Sequence, residues 1–377
     1  MKKLFSVLLL LCICLTCAAC GNNNTTPVET DSSSGDNGSS SGEPKVASID
    51  MREQTGAEGL SEIFDYGDGF VGAIISKTVD GEKKTYLRFI DTNYGWLADG
   101  EYELGGSDFV YTIARGAEHY VCFESGTVSV SGDPRTSVNV QPIDFKFSYD
   151  RDDNQLYSPD GKWYAVRDDS DGKGDATLIN IATGERITPY VGIHDGGFED
   201  NTVSAPVGFA GDKFIFNIYG YEWLFGYGIY DLSTGETKVF DNQIDVGVFP
   251  SADHKTGRIP YYIDHTEIGY IDLADPGVKK PLYNAESPAD ADEAFRSVLD
   301  GTNYFYCASV AGGKYLGVIA EGPDNGMVFA AYDFETFEKV YEYKKDDYHN
   351  SYVFSGNAAV FMFESVDASN VTVITLP

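Results

Sequence analysis

Short apolar runs of six to eight residues recur along most of the chain, separated by clusters of Gly, Asp, Asn and Pro. GFVGAIIS (69–76), KFIFNIY (213–219), YLGVIA (315–320) and AAVFMFES (358–365) are rich in β-branched and aromatic residues, the composition of strands. SPDG, SGD, TGE and PDNG lie between such runs. These turns supply Gly for positive φ and Asp or Asn for local capping. No long stretch of helical period competes, so the pattern predicts an all-β chain.

The strands repeat as a unit. TLINIATGERITPY (177–190) and GIYDLSTGETKVF (228–240) each read as an apolar strand, a Thr-Gly-Glu turn and a second strand. YLRFIDTNYG (86–95), YIDLADPGVKKPLY (270–283) and AAYDFETFEKVYEY (330–343) follow the same plan, and VTVITLP (371–377) is a truncated last copy. A degraded copy is predicted near VNVQPIDF (138–145). The polar residue that ends the first strand falls at 91, 180, 231, 272, 333 and 375. With the degraded copy this makes seven units about 47 residues apart, the spacing of four-stranded propeller blades. The expected fold is therefore a β-propeller of seven blades of four antiparallel strands, with six and eight as the neighbouring counts. The 61-residue step between 272 and 333 contains PADADEAFRSVLDG, predicted to hold one or two helical turns. The last copy ends after its third strand, and an unpaired edge is a liability in a ring. KVASIDM (45–51) alternates like a strand and is predicted to supply the missing outer strand and close the ring.

SPDGKWYAV (158–166) resembles the Ser-Pro-Asp-Gly-Lys repeat of TolB-like and WD-repeat-like β-propellers. In that family the turn joins the first two strands of a blade. The resemblance implies a second strand over 162–169, a third over 177–182 and an outer one over 186–191. TolB-like members often have six blades, one fewer than the repeats counted here. By analogy the resemblance also implies a scaffold role in an envelope complex.

The N-terminus follows another plan. Lys2 and Lys3 precede an apolar segment, Leu4 to Leu15, which is shorter than the ~20 residues of a membrane span. Small residues and Cys20-Gly21 follow, which is a signal-peptide layout. Thr16-Cys17-Ala18-Ala19-Cys20 resembles the lipobox of bacterial lipoproteins, with Cys17 standing where Leu is usual. The resemblance implies cleavage after residue 19 and a lipid on the sulfur of Cys20. Residues 21–44, GNNNTTPVETDSSSGDNGSSSGEP, have no apolar period and read as a flexible tether spanning roughly 27 Å root-mean-square. The predicted organisation is a signal over 1–19, lipidated Cys20 and linker over 20–44, and the propeller over 45–377.

Composition narrows the function. Lys and Arg total 27 against 59 Asp and Glu, a formal charge of −32, which repels phosphate backbones and excludes a nucleic-acid binder. Aromatic residues at 14% give the chain the material for a large core. Four of the six cysteines lie in the first twenty residues, and Cys122 and Cys307 are expected to be buried free thiols.

Two segments carry candidate chemistry. YGYEWLFGYG (219–228) alternates Tyr219, Tyr221, Trp223, Phe225 and Tyr227 between the second and third strands of blade four. Solvent-facing rings there would stack on sugars or anchor a protein. RDDSDGKGD (167–175) resembles the calcium loop of integrin-type propellers, matching at Asp169, Asp171, Gly172 and Asp175. Arg167 replaces the first aspartate and removes one oxygen from a cage that needs six to eight. No cofactor other than such a Ca2+ is implied. The chain has no G-x-S-x-G elbow and no H-E-x-x-H pair, and its five histidines are scattered. The sialidase box fails by one residue at Ser158–Trp163, and no tryptophan follows the TGE turns as a quinoprotein requires. The expectation is a monomeric, surface-anchored lipoprotein that binds an envelope protein or glycan without catalysis. The competing expectation is a glycan-processing enzyme using paired carboxylates of the propeller face.

Overall fold

Each repeat folds into a four-stranded antiparallel meander because its turns are closed locally by its own side chains. The structure, a computed structural model, describes residues 43–115, 118–144, 156–168, 174–193, 201–220, 224–240, 245–246, 257–263, 267–284, 304–310, 314–321, 326–333, 336, 338–347, 349–364 and 369–377. These residues form seven sheets arranged in a ring, a seven-bladed β-propeller. Blade 1 runs through Gly59–Gly67, Phe70–Val79, Glu82–Asp91 and Trp96–Leu97, with Tyr102–Gly105 also pairing its third strand. Blade 2 runs through Phe109–Arg115, Glu118–Phe123, Gly126–Asp133 and Ser137–Ile143. Blades 3 to 6 span 156–187, 202–240, 245–284 and 304–345. Blade 7 takes Ser351–Ser355, Ala358–Glu364 and Ser369–Thr375 from the end of the chain and Lys45–Asp50 from near its start.

The closing strand behaves as its alternation predicts. Lys45 pairs with Thr375 and Asp50 with Asn370 in unbroken antiparallel register. Ile49 is 1% exposed and packs with Val371 and Val373 of blade 7 and with Val71 and Ile90 of blade 1. A single helical turn, Met51–Thr55, then carries the chain inward to blade 1. Asp50 caps it by accepting from Glu53 N, and Gly56 ends it at φ +72°. Across the same seam Thr375 Oγ1 donates to Thr92 O, at 2.5 Å.

The recurring polar residue has a physical role. Asp91, Asn180, Asp231, Asp272 and Asp333 end the third strands of their blades, and each Oδ1 accepts a main-chain N–H two or three residues on. Each makes an Asx turn that starts the reversal into the outer strand. Blade 2 has the same device at Asp133, which accepts from Arg135 N. The degraded repeat is therefore Gly126–Asp133, while 138–145 covers most of the outer strand Ser137–Ile143, a correction of one strand. The SPDG turn joins the inner and second strands of blade 3, as the family resemblance implies. Trp163 N donates to Ser158 Oγ, Ser158 Oγ donates to Asp160 Oδ1, and Gly161 takes φ +68°. PADADEAFRSVLDG lies outside the described residues.

Within a blade, aromatic rings lie over glycines of the neighbouring strand. Phe64 faces Gly72, Phe216 faces Gly228 and Tyr261 faces Gly269 in register. A Cβ on any of these glycines would overlap the facing ring. Cys122 is buried and free, and burial pushes its thiol up. The side chain of Cys307 lies outside the described residues.

Three outcomes are expected. A chain beginning at Met51 loses the outer strand of blade 7. It should lose at least about 2 kcal/mol through Ile49 alone and self-associate through the bared edge, read by chemical denaturation and sedimentation. Gly228→Ala should cost ~1–3 kcal/mol by overpacking against Phe216. Gly126→Ala, where a Cβ meets nothing within 4 Å, should be neutral in the same assay. His349, buried between the rings of Tyr352 and Phe361, is held down to about 4 by burial. The unfolded chain takes up a proton near pH 6.5 that the folded chain refuses until about 4, so this stability is lost as pH falls through that window. Relative to His349→Gln, the wild type should lose roughly 2.5 kcal/mol between pH 7 and pH 4.5.

Candidate functional site

Inner strands pair on one side only, so their other edges face the central channel. Where the inner strands of blades 1, 2 and 7 approach, they enclose a cavity of about 710 Å³. Blade 1 contributes Glu62, Phe64, Asp65 and Tyr66, and its first turn adds Asp68. Blade 2 contributes Thr112, His119 and the turn from Gly132 to Arg135, and blade 7 contributes Tyr352 and Val353. Register shifts at Leu60/Glu62 and Asp65/Gly67 irregularise the blade 1 strand just where it lines the cavity, a placement common for bulges that re-aim side chains.

The wall between blades 1 and 2 is an aromatic stack. Tyr66 lies over His119 at 4.4 Å between ring centres, and Phe89 meets Tyr66 edge-on. Tyr66 Oη donates to Gly132 O at 3.0 Å and ties the two blades together. His119 is 6% exposed. Burial pushes it down, against a hydrogen bond to the main chain of Tyr66, so the ring is neutral near pH 7. Its Nδ1 has no hydrogen-bond partner among the described residues.

The polar lining is strongly biased towards acceptors. Burial raises the carboxyls of both Glu62 and Asp65. Thr112 Oγ1 donates to Glu62 at 2.5 Å and pulls Glu62 part of the way back. Hydrogen bonds to Ser355 and Gly67 do the same for Asp65, while Asp68 opposes them. Asp133 is held below the usual carboxylate range by Arg135, its 2.9 Å partner. Arg135 also lies over the ring of Phe70, 5.3 Å from its centre.

The mouth and the start of the closing strand share one face. Gly356, in the first turn of blade 7, approaches Gly69 in the first turn of blade 1, and Arg135 reaches Phe70 from the third turn of blade 2. Lys45, where the closing strand begins, pairs with Thr375 at this same end of blade 7. Tyr94 and Trp96, 65% and 57% exposed, stack on each other at 4.6 Å in the third turn of blade 1.

The blade 4 rings read from the sequence are placed differently. Tyr227 is fully buried, stacks on Phe240 at 4.9 Å and donates to Pro276 O. It is a core residue joining blades 4 and 5 and not a solvent-facing ring, because its side of the third strand meets the next blade. Phe225 packs against the core of blades 3 and 4, and Tyr219 is half-buried with its Oη accepting from Asn217. Tyr221 and Trp223 lie outside the described residues. Their flanking strand ends, Gly220 and Leu224, stand at the opposite end of the meander from its first turn, away from the cavity face.

Asp175 of the calcium reading is 4% exposed. Oδ1 accepts from Ser204 N and Oγ, and Oδ2 accepts from Gly192 N, which ties blade 3 to the inner strand of blade 4. In the structure Asp175 serves as this inter-blade tie. Asp169, Asp171 and Cys20 lie outside the described residues. Among the described residues no group of three His, Cys, Asp or Glu side chains is arranged to hold a metal.

No family model and no curated protein matches this chain. Solved structures match its fold. A prolyl endopeptidase, from an analysis of inter-domain dynamics in two such enzymes, is 11% identical over 85% of this chain, with a TM-score of 0.50. This chain spans 50% of the length of that one. BamB from Moraxella catarrhalis is 13% identical over 88% of this chain and 98% of its own, with a TM-score of 0.40. Sqt1 from Chaetomium thermophilum, solved with the N-terminus of ribosomal protein L10, is 11% identical over 82% of this chain and 81% of its own, with a TM-score of 0.42. At these identities the likeness is one of fold.

Proposed function

We propose that this protein is an extracytoplasmic, lipid-anchored binding module that grips an envelope protein or glycan, without catalysis, in the cavity between blades 1, 2 and 7. The observation that carries the reading is the cavity itself. It is concave, lined by Phe64, Tyr66 and Tyr352, and furnished with a few polar groups that fix orientation. The anchor rests on the Cys20 motif and the tether of 21–44, which ends where the closing strand begins. The acidic lining does not suit an anionic ligand. A second reading, glycan processing by a carboxyl pair, draws on Glu62 and Asp65, since a raised carboxyl suits a general acid.

The test is photo-crosslinking in intact cells with a benzophenone amino acid in place of Tyr352, with and without Ala114→Trp, which fills the cavity wall. One product that Ala114→Trp abolishes is expected. A product indifferent to Ala114→Trp, or one formed only from position 223 in the blade 4 loop, would place binding elsewhere. Cys20→Ser should move the protein from the membrane to the soluble fraction, and retention in the membrane would overturn the anchor. Hydrolysis of wall glycan that Glu62→Gln abolishes would replace binding with catalysis.

A further inference from the structure

The cavity's hydrogen-bonding inventory is one-sided. Glu62, Asp65, Asp68 and Asp133 line it with carboxylates, and the buried Nδ1 of His119 in the same wall has no partner among the described residues. The hydroxyl donors of Thr112 and Tyr66 are engaged within the protein, and Arg135 is tied through its Nε. Thr112 donates to Glu62, Tyr66 donates to Gly132 O and Arg135 is paired with Asp133. Four carboxylates against one guanidinium are matched by a ligand that brings donors and positive charge. The rings of Phe64, Tyr66 and Tyr352 add faces on which a guanidinium or an ammonium and its methylene stem rest favourably.

We propose that the cavity takes a basic side chain, arginine or lysine, from an extended segment of a polypeptide partner. This deepens the binding reading above and rests on the same cavity. Two observations favour a peptide over an amino sugar carrying the same cation. About 710 Å³ is far more than one side chain fills, so neighbouring residues enter with it. The inner strands of blades 1, 2 and 7 also turn unpaired edges to the channel, and extended main chain is the complement of a bare strand edge. Burial raises the carboxyls of Glu62 and Asp65, so a cation brought beside them would favour their charged forms. The net charge of −32 draws a basic partner in from a distance.

The probe is the end-blocked peptide Gly-Gly-Arg-Gly-Gly, titrated into the intact protein by NMR beside its neutral citrulline counterpart and a glucosamine trimer. The arginine peptide should bind at least tenfold more tightly than the citrulline peptide and more tightly than the trimer, and should weaken as salt rises. Asp68→Asn should reduce its affinity several-fold at an unchanged thermal midpoint, because Asn tolerates the left-handed backbone of position 68, φ +52°. Glu62→Gln should do the same and serves as the second variant. Equal binding of the citrulline peptide, preference for the amino sugar, or no saturable binding of the arginine peptide overturns the proposal. If the crosslink at Tyr352 persists while the arginine peptide neither binds nor competes, the cation reading falls and the binding site stands. If the peptide binds at the cavity while no partner crosslinks there, the envelope reading falls instead.

Discussion

The pairing of Lys45–Asp50 with Ser369–Thr375 is the constraint on which the rest of the propeller depends. Every other blade is a local meander, built from one stretch of chain. Among the described strands, blade 7 alone is assembled from both ends of the domain, so its completion is a long-range event with a correspondingly large loop-closure cost. What offsets that cost is burial at a single seam. Ile49 and Met51 from the start of the domain, Val371 and Val373 from its end, and Val71 and Ile90 of blade 1 form one apolar cluster. The seam therefore joins three parts of the chain at once, and the cavity lies beside it.

Within the blades, regularity comes from local chemistry. The Asx turn at the end of six third strands sets where each strand stops, independently of the other blades. Ring-over-glycine packing works at the next level. A bulky ring in one strand claims the space that a Cβ would fill on the facing strand, which fixes register and keeps the sheet thin enough for the next blade. These devices explain why the repeats diverge so far in sequence and still fold alike. A blade needs a polar cap, a few β-formers and a compatible pair across two strands, and many sequences satisfy that requirement.

The cavity follows from the seam. Blades 7, 1 and 2 meet where the chain closes, and irregular register in the inner strand of blade 1 brings Glu62 to Asp68 around its wall. Burial disfavours the charged form of the carboxyls in this wall, and the hydroxyls of Thr112 and Tyr66 are committed to partners inside the protein. Such a wall is electrostatically incomplete by itself, and an incoming cation completes it. The same charge imbalance in the whole molecule extends that preference outward.

Fold class, blade number and ring closure were legible in the linear sequence because they rest on local signals: strand composition, the Asx position and a last repeat one strand short. Only blade 2 was read one strand out of place, since Thr127–Asp133 lacks the aromatic and Thr-Gly-Glu marks of its relatives. The candidate site was not legible. Glu62, His119 and Tyr352 are distant in sequence and share no motif, and the closed ring alone brings them to one cavity. Conversely, sequence does not show which side of a strand meets the next blade, and this decides the places of Tyr227 and Asp175. Tyr227 and Asp175 face those neighbours and are spent on the core and on an inter-blade tie. The sequence by itself determined the strands, their turns and their count, which are matters of local conformation. The tertiary structure decided which side chains are buried between blades and which are left to line the channel, because burial depends on what the rest of the ring places opposite each residue.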